Sequence, residues 1–326
     1  MSATSSVMSM VGTQSIAHVL VCLDLTTQSH SCLPYAKYIA EAFHARVTLL
    51  HVLPSPNEPD ALEWEVSRRE AARYLAEAKT FLGTSSPAID IRLEQGAAAR
   101  EIIAASGVDG VDLTILSSHG PSGGTTVDLG SNAQHVLAQS SGSILFTQPG
   151  GTASVPPRRL LVPLDGSVRS ESVLPTVVGL ARLHAAAVLL VHVVKEPSPT
   201  GFLAEEDDLK LARTLASRIE GHAEAYLRRI RAQLLSDVAT VETLVVRRDD
   251  ERKALLDIAA KQTSDLIVLT AHGTTCDSEI AFGSVAAYLL THSTLPLLVF
   301  QDLSRHAARA LRASGMRMSP RIAEAE

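Results

Sequence analysis

Short apolar runs alternate with helical patterns along this chain, and the alternation happens twice. In the first half, residues 18–23, 46–52, 88–93, 111–116 and 143–147 are rich in Val, Ile and Leu with few polar interruptions. Uninterrupted runs of that length read as parallel strands buried on both faces. Between them, 32–44, 60–82, 98–106 and 130–140 carry apolar residues at helical spacing. In the second half the runs at 159–164, 187–193, 239–246, 265–270 and 296–300 read as strands. The intervening 169–184, 203–236, 251–262 and 282–292 read as helices. Five strands alternating with four helices predict an α/β fold with a parallel sheet and right-handed crossovers.

The two halves are copies. HVLVCLD at 18–24 matches RLLVPLD at 159–165, and ARVTLLHV at 45–52 matches AAVLLVHV at 186–193. VDLTILSSHG at 111–120 matches SDLIVLTAHG at 264–273, and GSNAQHVL at 130–137 matches GSVAAYLL at 283–290. The offset is 141 residues for Asp24/Asp165 and His51/His192, and 153 for Gly120/Gly273 and Gly130/Gly283. The second copy thus holds 12 extra residues, which fall in the helix at 203–236. TQPGGTASVPP at 147–157 concentrates Pro, Gly and Ser between the copies, as a linker does. The predicted organisation is a disordered Ser/Thr-rich leader at 1–15, a domain at 16–148, a linker at 149–157, a second domain at 158–302 and a tail at 303–326. Each domain is expected to be doubly wound, a five-stranded parallel sheet with helices on both faces.

Composition narrows the function classes. The chain has 326 residues, 46% hydrophobic and 20% charged, enough to bury a core. Three cysteines do not make a disulfide scaffold, so a reducing, cytoplasmic setting is expected. A formal charge of −6 argues against a general nucleic-acid binder. Aromatics at 4%, with Trp64 the single tryptophan, leave no stacking surface for single strands. The longest greasy run, AAAVLLVHVV at 185–194, is half a membrane span. The leader lacks the order of a signal peptide, and no membrane partner is expected.

In an open α/β sheet, ligands bind beyond the carboxyl ends of the strands, where strand order reverses. The residues there are Asp24-Leu25-Thr26 and Asp165-Gly166-Ser167 after strand one. After strand four come the loops 117–131 (SSHGPSGGTTVDLGS) and 270–284 (TAHGTTCDSEIAFGS). Each loop has a glycine, Gly120 or Gly273, then nine residues, then Gly-Ser opening a helix at Gly130-Ser131 or Gly283-Ser284. A helix start offers unpaired N–H groups and the positive dipole end to a phosphate. Asp24 and Asp165 can accept hydrogen bonds from an adenine amino group or a ribose hydroxyl, or can cap the following turn. The arrangement predicts an adenine-nucleotide cleft.

These motifs resemble the universal stress protein family in tandem. Its usual phosphate loop is Gly-x2-Gly-x9-Gly-(Ser/Thr), and its first strand typically ends V-P-x-D-G-S. Val162–Ser167 carries the latter intact, and GAAAREI at 96–102 is similar to the family's G-x-P-A-x-E-I. The resemblance implies a regulatory stress-response module binding ATP or a related nucleotide, with Mg accompanying it. It also implies that Val52 and Val193 meet adenine through their backbones. Self-association through strand-five edges, SILFT at 143–147 and LPLLVF at 295–300, is implied too, between the domains or as a homodimer. The chain departs from the family at Ser117 and Thr270, which replace the first loop glycine, and at Leu25-Thr26. The loops 120–130 and 273–283 hold no Lys or Arg, but hold Asp128, Asp277 and Glu279, whose charge would oppose a triphosphate.

Other readings are weaker on the residues. His119 and His272 can face a phosphate or fix the loop through backbone hydrogen bonds; the second is expected. His51 and His192 read as structural, and Cys22 as a buried strand residue. GPSGG at 120–124 matches a nucleophile elbow, but the loop runs six residues further before its helix, and copy two does not repeat it. Cys276 sits among acids that would raise its pKa. Metal-binding His and Cys spacings are absent from the sequence. The five arginines at 305–321 belong to a tail expected to be a frayed helix. Besides the nucleotide module, the same fold with empty clefts could serve as an interaction protein. A slow ATPase is the enzymatic alternative, since the S-G-G-x-D-S of an adenylate-forming relative is missing.

Overall fold

A computed structural model describes residues 16–55, 61–107, 110–118, 129–140, 142–148, 155–195, 206–273 and 282–301. The leader, the tail, most of the linker and the interiors of both glycine loops lie outside the described residues.

The first half runs β1 (His18–Cys22), α1 (Cys32–Phe43), β2 (Arg46–Leu53), α2 (Ala61–Leu82), β3 (Ile89–Gln95), α3 (Ala98–Ser106), β4 (Leu113–Ser117), α4 (Ser131–Gln139) and β5 (Ser143–Thr147). The second runs β6 (Arg159–Pro163), α5 (Val168–Glu171), α6 (Leu174–His184), β7 (Ala187–Val194), α7 (Glu206–Leu234), β8 (Val241–Arg247), α8 (Glu251–Lys261), β9 (Leu266–Thr270), α9 (Ser284–His292) and β10 (Leu297–Phe300). The helix expected across 169–184 is broken into α5 and α6. Pro175 explains the break: its ring would clash with the carbonyl four residues back, at Glu171, where α5 ends.

The ten strands among the described residues form one sheet in the order β3-β2-β1-β4-β5-β10-β9-β6-β7-β8. Within each half the pairing is parallel, and the order reverses beside β1 and beside β6, as in a doubly wound sheet. The halves join through antiparallel β5 and β10, Leu145 opposite Leu298. The two strand-five edges are thus used against each other inside the chain. Because this joint is antiparallel, the carboxyl ends of the strands point opposite ways in the two halves. The two candidate clefts therefore open at opposite ends of the sheet.

Alternate residues of each strand feed alternate faces. Val19 and Val21 enter one core with α1, α2, α6 and α7; Leu20 and Cys22 enter the other with α3, α4, α8 and α9. Both cores contain residues from both halves. On the first face α1 meets α6. The Tyr38 hydroxyl donates to the Leu180 carbonyl, and a β-carbon at Gly179 would overlap the Phe43 ring.

Candidate nucleotide clefts

The turn after each first strand is built the same way. Asp165 Oδ1 accepts the Ser167 N–H at 2.9 Å and its hydroxyl at 2.6 Å. Asp24 Oδ1 accepts the Thr26 N–H at 3.0 Å and its hydroxyl at 2.5 Å. In both of these Asx turns the middle residue has positive φ, 86° at Gly166 and 65° at Leu25. Glycine takes that conformation freely and leucine under strain. In both halves the carbonyl before the aspartate binds a histidine ring at 2.7 Å: Leu23 with His51 Nδ1, Leu164 with His192 Nδ1. Those histidines tie strand one to strand two, the structural role expected of them.

The glycine loops are pinched at their bases. Gly130 N–H donates to the Ser118 carbonyl at 2.8 Å, and Gly283 N–H to the Ala271 carbonyl at 2.7 Å. Neither glycine is left-handed, with φ of −58° and −64°. Positive φ is therefore not what these positions require. Gly273 is needed for close approach, because a β-carbon there would overlap Asp165 Oδ2. Thr270, at the place of the family's first loop glycine, donates its hydroxyl to the His272 carbonyl at 2.8 Å. Among the described residues no side chain caps α4 or α9, and their first-turn N–H groups have no intrahelical acceptors.

The structure gathers the expected residues of the second half around one cavity of about 640 Å³: Asp165, Val193, Thr270, His272, Gly273, Gly283 and Ser284. In the first half Asp24, Val52, Ser117, Gly130 and Ser131 line a cavity of about 120 Å³. His119 and Gly120 lie outside the described residues, as do Ser122, Asp128, Cys276, Asp277 and Glu279. Pockets for small molecules hold about 300–1,000 Å³, a range the second cleft meets and the first does not. No cluster of three or more His, Cys, Asp or Glu among the described residues could hold a metal ion. Cys22 and Cys32 are buried, and burial pushes the Cys32 thiol up to about 12. No helix among the described residues is long and apolar enough to cross a membrane.

The repeat agrees with comparisons to known proteins. The universal stress protein family matches residues 16–148 and again 157–301. The chain belongs to the universal stress protein family. A universal stress protein of Mycolicibacterium smegmatis is 24% identical over 300 residues, spanning 86% of this chain and 96% of that one. The crystal structure of a universal stress protein from Archaeoglobus fulgidus superposes with a TM-score of 0.65 at 18% identity, over 89% of this chain and all of that one. A structure from Pseudomonas aeruginosa with the same family name gives 0.66 at 15% identity, over 94% of this chain and 99% of that one.

The second cleft of this universal stress protein has a mouth that reading the loops alone overlooked. Lys195, just past β7, and Asp249, Asp250, Glu251 and Arg252, at the start of α8, line the same cavity. The 153-residue offset sets these four against Gly96-Ala97-Ala98-Ala99, so a neutral segment in one copy is a charged one in the other. That substitution was the available signal. Asp250 caps α8 by accepting from Arg252 N–H at 3.0 Å. Its hydrogen bonds with Arg252 hold its carboxyl below the usual range. Partial desolvation beside the cleft, and then the Asp165 carboxylate, push the Glu251 carboxyl up.

Proposed function

We propose that this universal stress protein is a regulatory module that binds one adenine nucleotide, ATP or a relative, in the cleft of its second half. The observation that carries the reading is the 640 Å³ cavity, in which Asp165, Val193, Gly273, Gly283 and Ser284 converge. Asp165 is anchored through Oδ1, which directs Oδ2 toward Gly273 and the cleft. It is suited to accept from a ribose hydroxyl or an amino group. The start of α9 is suited to a phosphate. Val193 and Leu255 offer apolar wall to a base. Any Mg would arrive with the nucleotide. The first half keeps the frame of a site around a smaller cavity and acts as its structural partner. The reading places the protein in the cytoplasm, where its buried thiols stay reduced.

Calorimetric titration of ATP into full-length protein tests this. The expected stoichiometry is one, lost in Asp165→Ala and in Gly283→Val, and retained in Asp24→Ala. Two sites per chain, or binding that survives Asp165→Ala and Gly283→Val, would overturn the assignment. A wild-type protein that releases no nucleotide on denaturation and gives no heat at millimolar ATP would favour the interaction-protein alternative.

A further inference from the structure

The second cleft carries a cation that its glycine loop does not supply. Arg252 is the second residue of α8, and its guanidinium is held from two sides. Nε donates to Asp250 Oδ1 at 3.0 Å and Nη2 to Asp250 Oδ2 at 3.1 Å. The Tyr288 ring centroid lies 5.0 Å from its Cζ, within cation–π range. Tyr288 is itself stacked on His292, with centroids 4.0 Å apart and planes at 12°. Asp250 is fixed in turn as the cap of α8. A guanidinium is a rigid fork of five N–H donors, so the bonds to Asp250 leave the Nη1 hydrogens for a ligand.

The fork stands where an anion would. Arg252 lines the same cavity as Asp165 and Ser284. Tyr288 follows Ser284 by four residues, so it lies one turn along the same face of α9. A side chain resting on Tyr288 is therefore next to the helix start, whose N–H groups and dipole suit phosphate.

We propose that Arg252 is the phosphate-binding cation of the second cleft, and that the cleft consequently takes a phosphorylated adenine nucleotide in preference to the nucleoside. This rests on the nucleotide reading above and adds the group that discriminates among its ligands. Asp250 offsets part of the guanidinium charge, so Arg252 contributes a directed pair of hydrogen bonds rather than a bare charge. Lys195 lines the same cavity but is exposed, with Glu251 close by. In the first half Ala99 and His135 occupy the positions of Arg252 and Tyr288. The cation therefore belongs to the second cleft.

The test is calorimetric titration of adenosine, AMP and ATP into the full chain, for wild type, Arg252→Ala, Arg252→Lys, Tyr288→Ala and Lys195→Ala, with melting temperatures taken in parallel. Wild type should bind ATP about 10-fold or more tighter than adenosine, the scale of a charge-assisted hydrogen bond. Arg252→Ala should lose that margin while adenosine affinity stays within about 2-fold. Arg252→Lys should recover part of it, since lysine keeps the charge without the fork. Tyr288→Ala, which removes the platform alone, should fall between wild type and Arg252→Ala. Lys195→Ala should change the margin least. If ATP affinity is unmoved in Arg252→Ala, or ATP and adenosine weaken together, Arg252 does not bind phosphate. If wild type binds none of the three compounds, the nucleotide reading fails and this assignment with it.

Discussion

Leu25 and Gly166 hold the same turn at different cost. Each follows an aspartate that accepts from the next residue's N–H, and each has positive φ, 65° and 86°. A left-handed leucine costs about 1–2 kcal/mol, partly offset in a glycine variant by the greater freedom of the unfolded chain. Leu25→Gly should therefore raise the urea midpoint, by up to about 1 kcal/mol of stability. A β-carbon at Gly166 would meet open space, so Gly166→Leu should cost about 1–2 kcal/mol through φ alone. Urea titrations in which both variants move the same way would remove backbone conformation as the cause. At this scale the sequence was informative about strand ends. Asp165, Gly273, Gly283 and Ser284 were legible because topology sends the ends of strands one and four to one place. Lys195 and Arg252 were missed because they stand past β7 and at the start of α8, outside the turns after strands one and four; the charged Asp249–Arg252 opposite Gly96–Ala99 was the signal for Arg252. One reason for Gly273 was hidden too: the Asp165 carboxylate approaches it too closely to leave room for a β-carbon.

At the scale of elements, the joint between halves is asymmetric in its side chains. Tyr38 and Phe43 on α1 correspond, by the 141-residue offset, to Gly179 and His184 on α6. Tyr38 packs on His184, with centroids 5.7 Å apart, and Phe43 fills the space left at Gly179. A bulky pair thus meets a pair with one side chain removed. Glycine inside a helix costs about 1 kcal/mol relative to alanine, and here the close approach of α1 accounts for it. Gly179→Leu should destabilise the wild type by about 1–3 kcal/mol through overpacking. In a Phe43→Ala background the cost should shrink by at least about 1 kcal/mol, because the ring it strikes is gone. A double-mutant cycle with no coupling would show that the two helices do not press there. Helix existence was legible from apolar periodicity. The split of 169–184 was legible in principle from Pro175, whose ring cannot continue the helix begun at Val168.

At the scale of the whole molecule, ten strands and two cores run through both halves without interruption. Calorimetry should accordingly record one cooperative transition for the chain. Two well-separated peaks would mean that the β5–β10 joint contributes little. Taken alone, the sequence determined the local and repetitive features: strand and helix periodicity, the duplication and the Gly-Ser helix starts. These depend on spacing within a few residues, or on comparing one copy with the other. The tertiary structure decided what depends on distance between remote segments. It joined the strand-five edges antiparallel inside the chain and turned the clefts to opposite ends. It left about 640 Å³ in one cleft and about 120 Å³ in the other. It also brought Arg252 onto Tyr288 beside Ser284, because two helices on the same face of a twisted sheet meet there and nowhere in the linear chain.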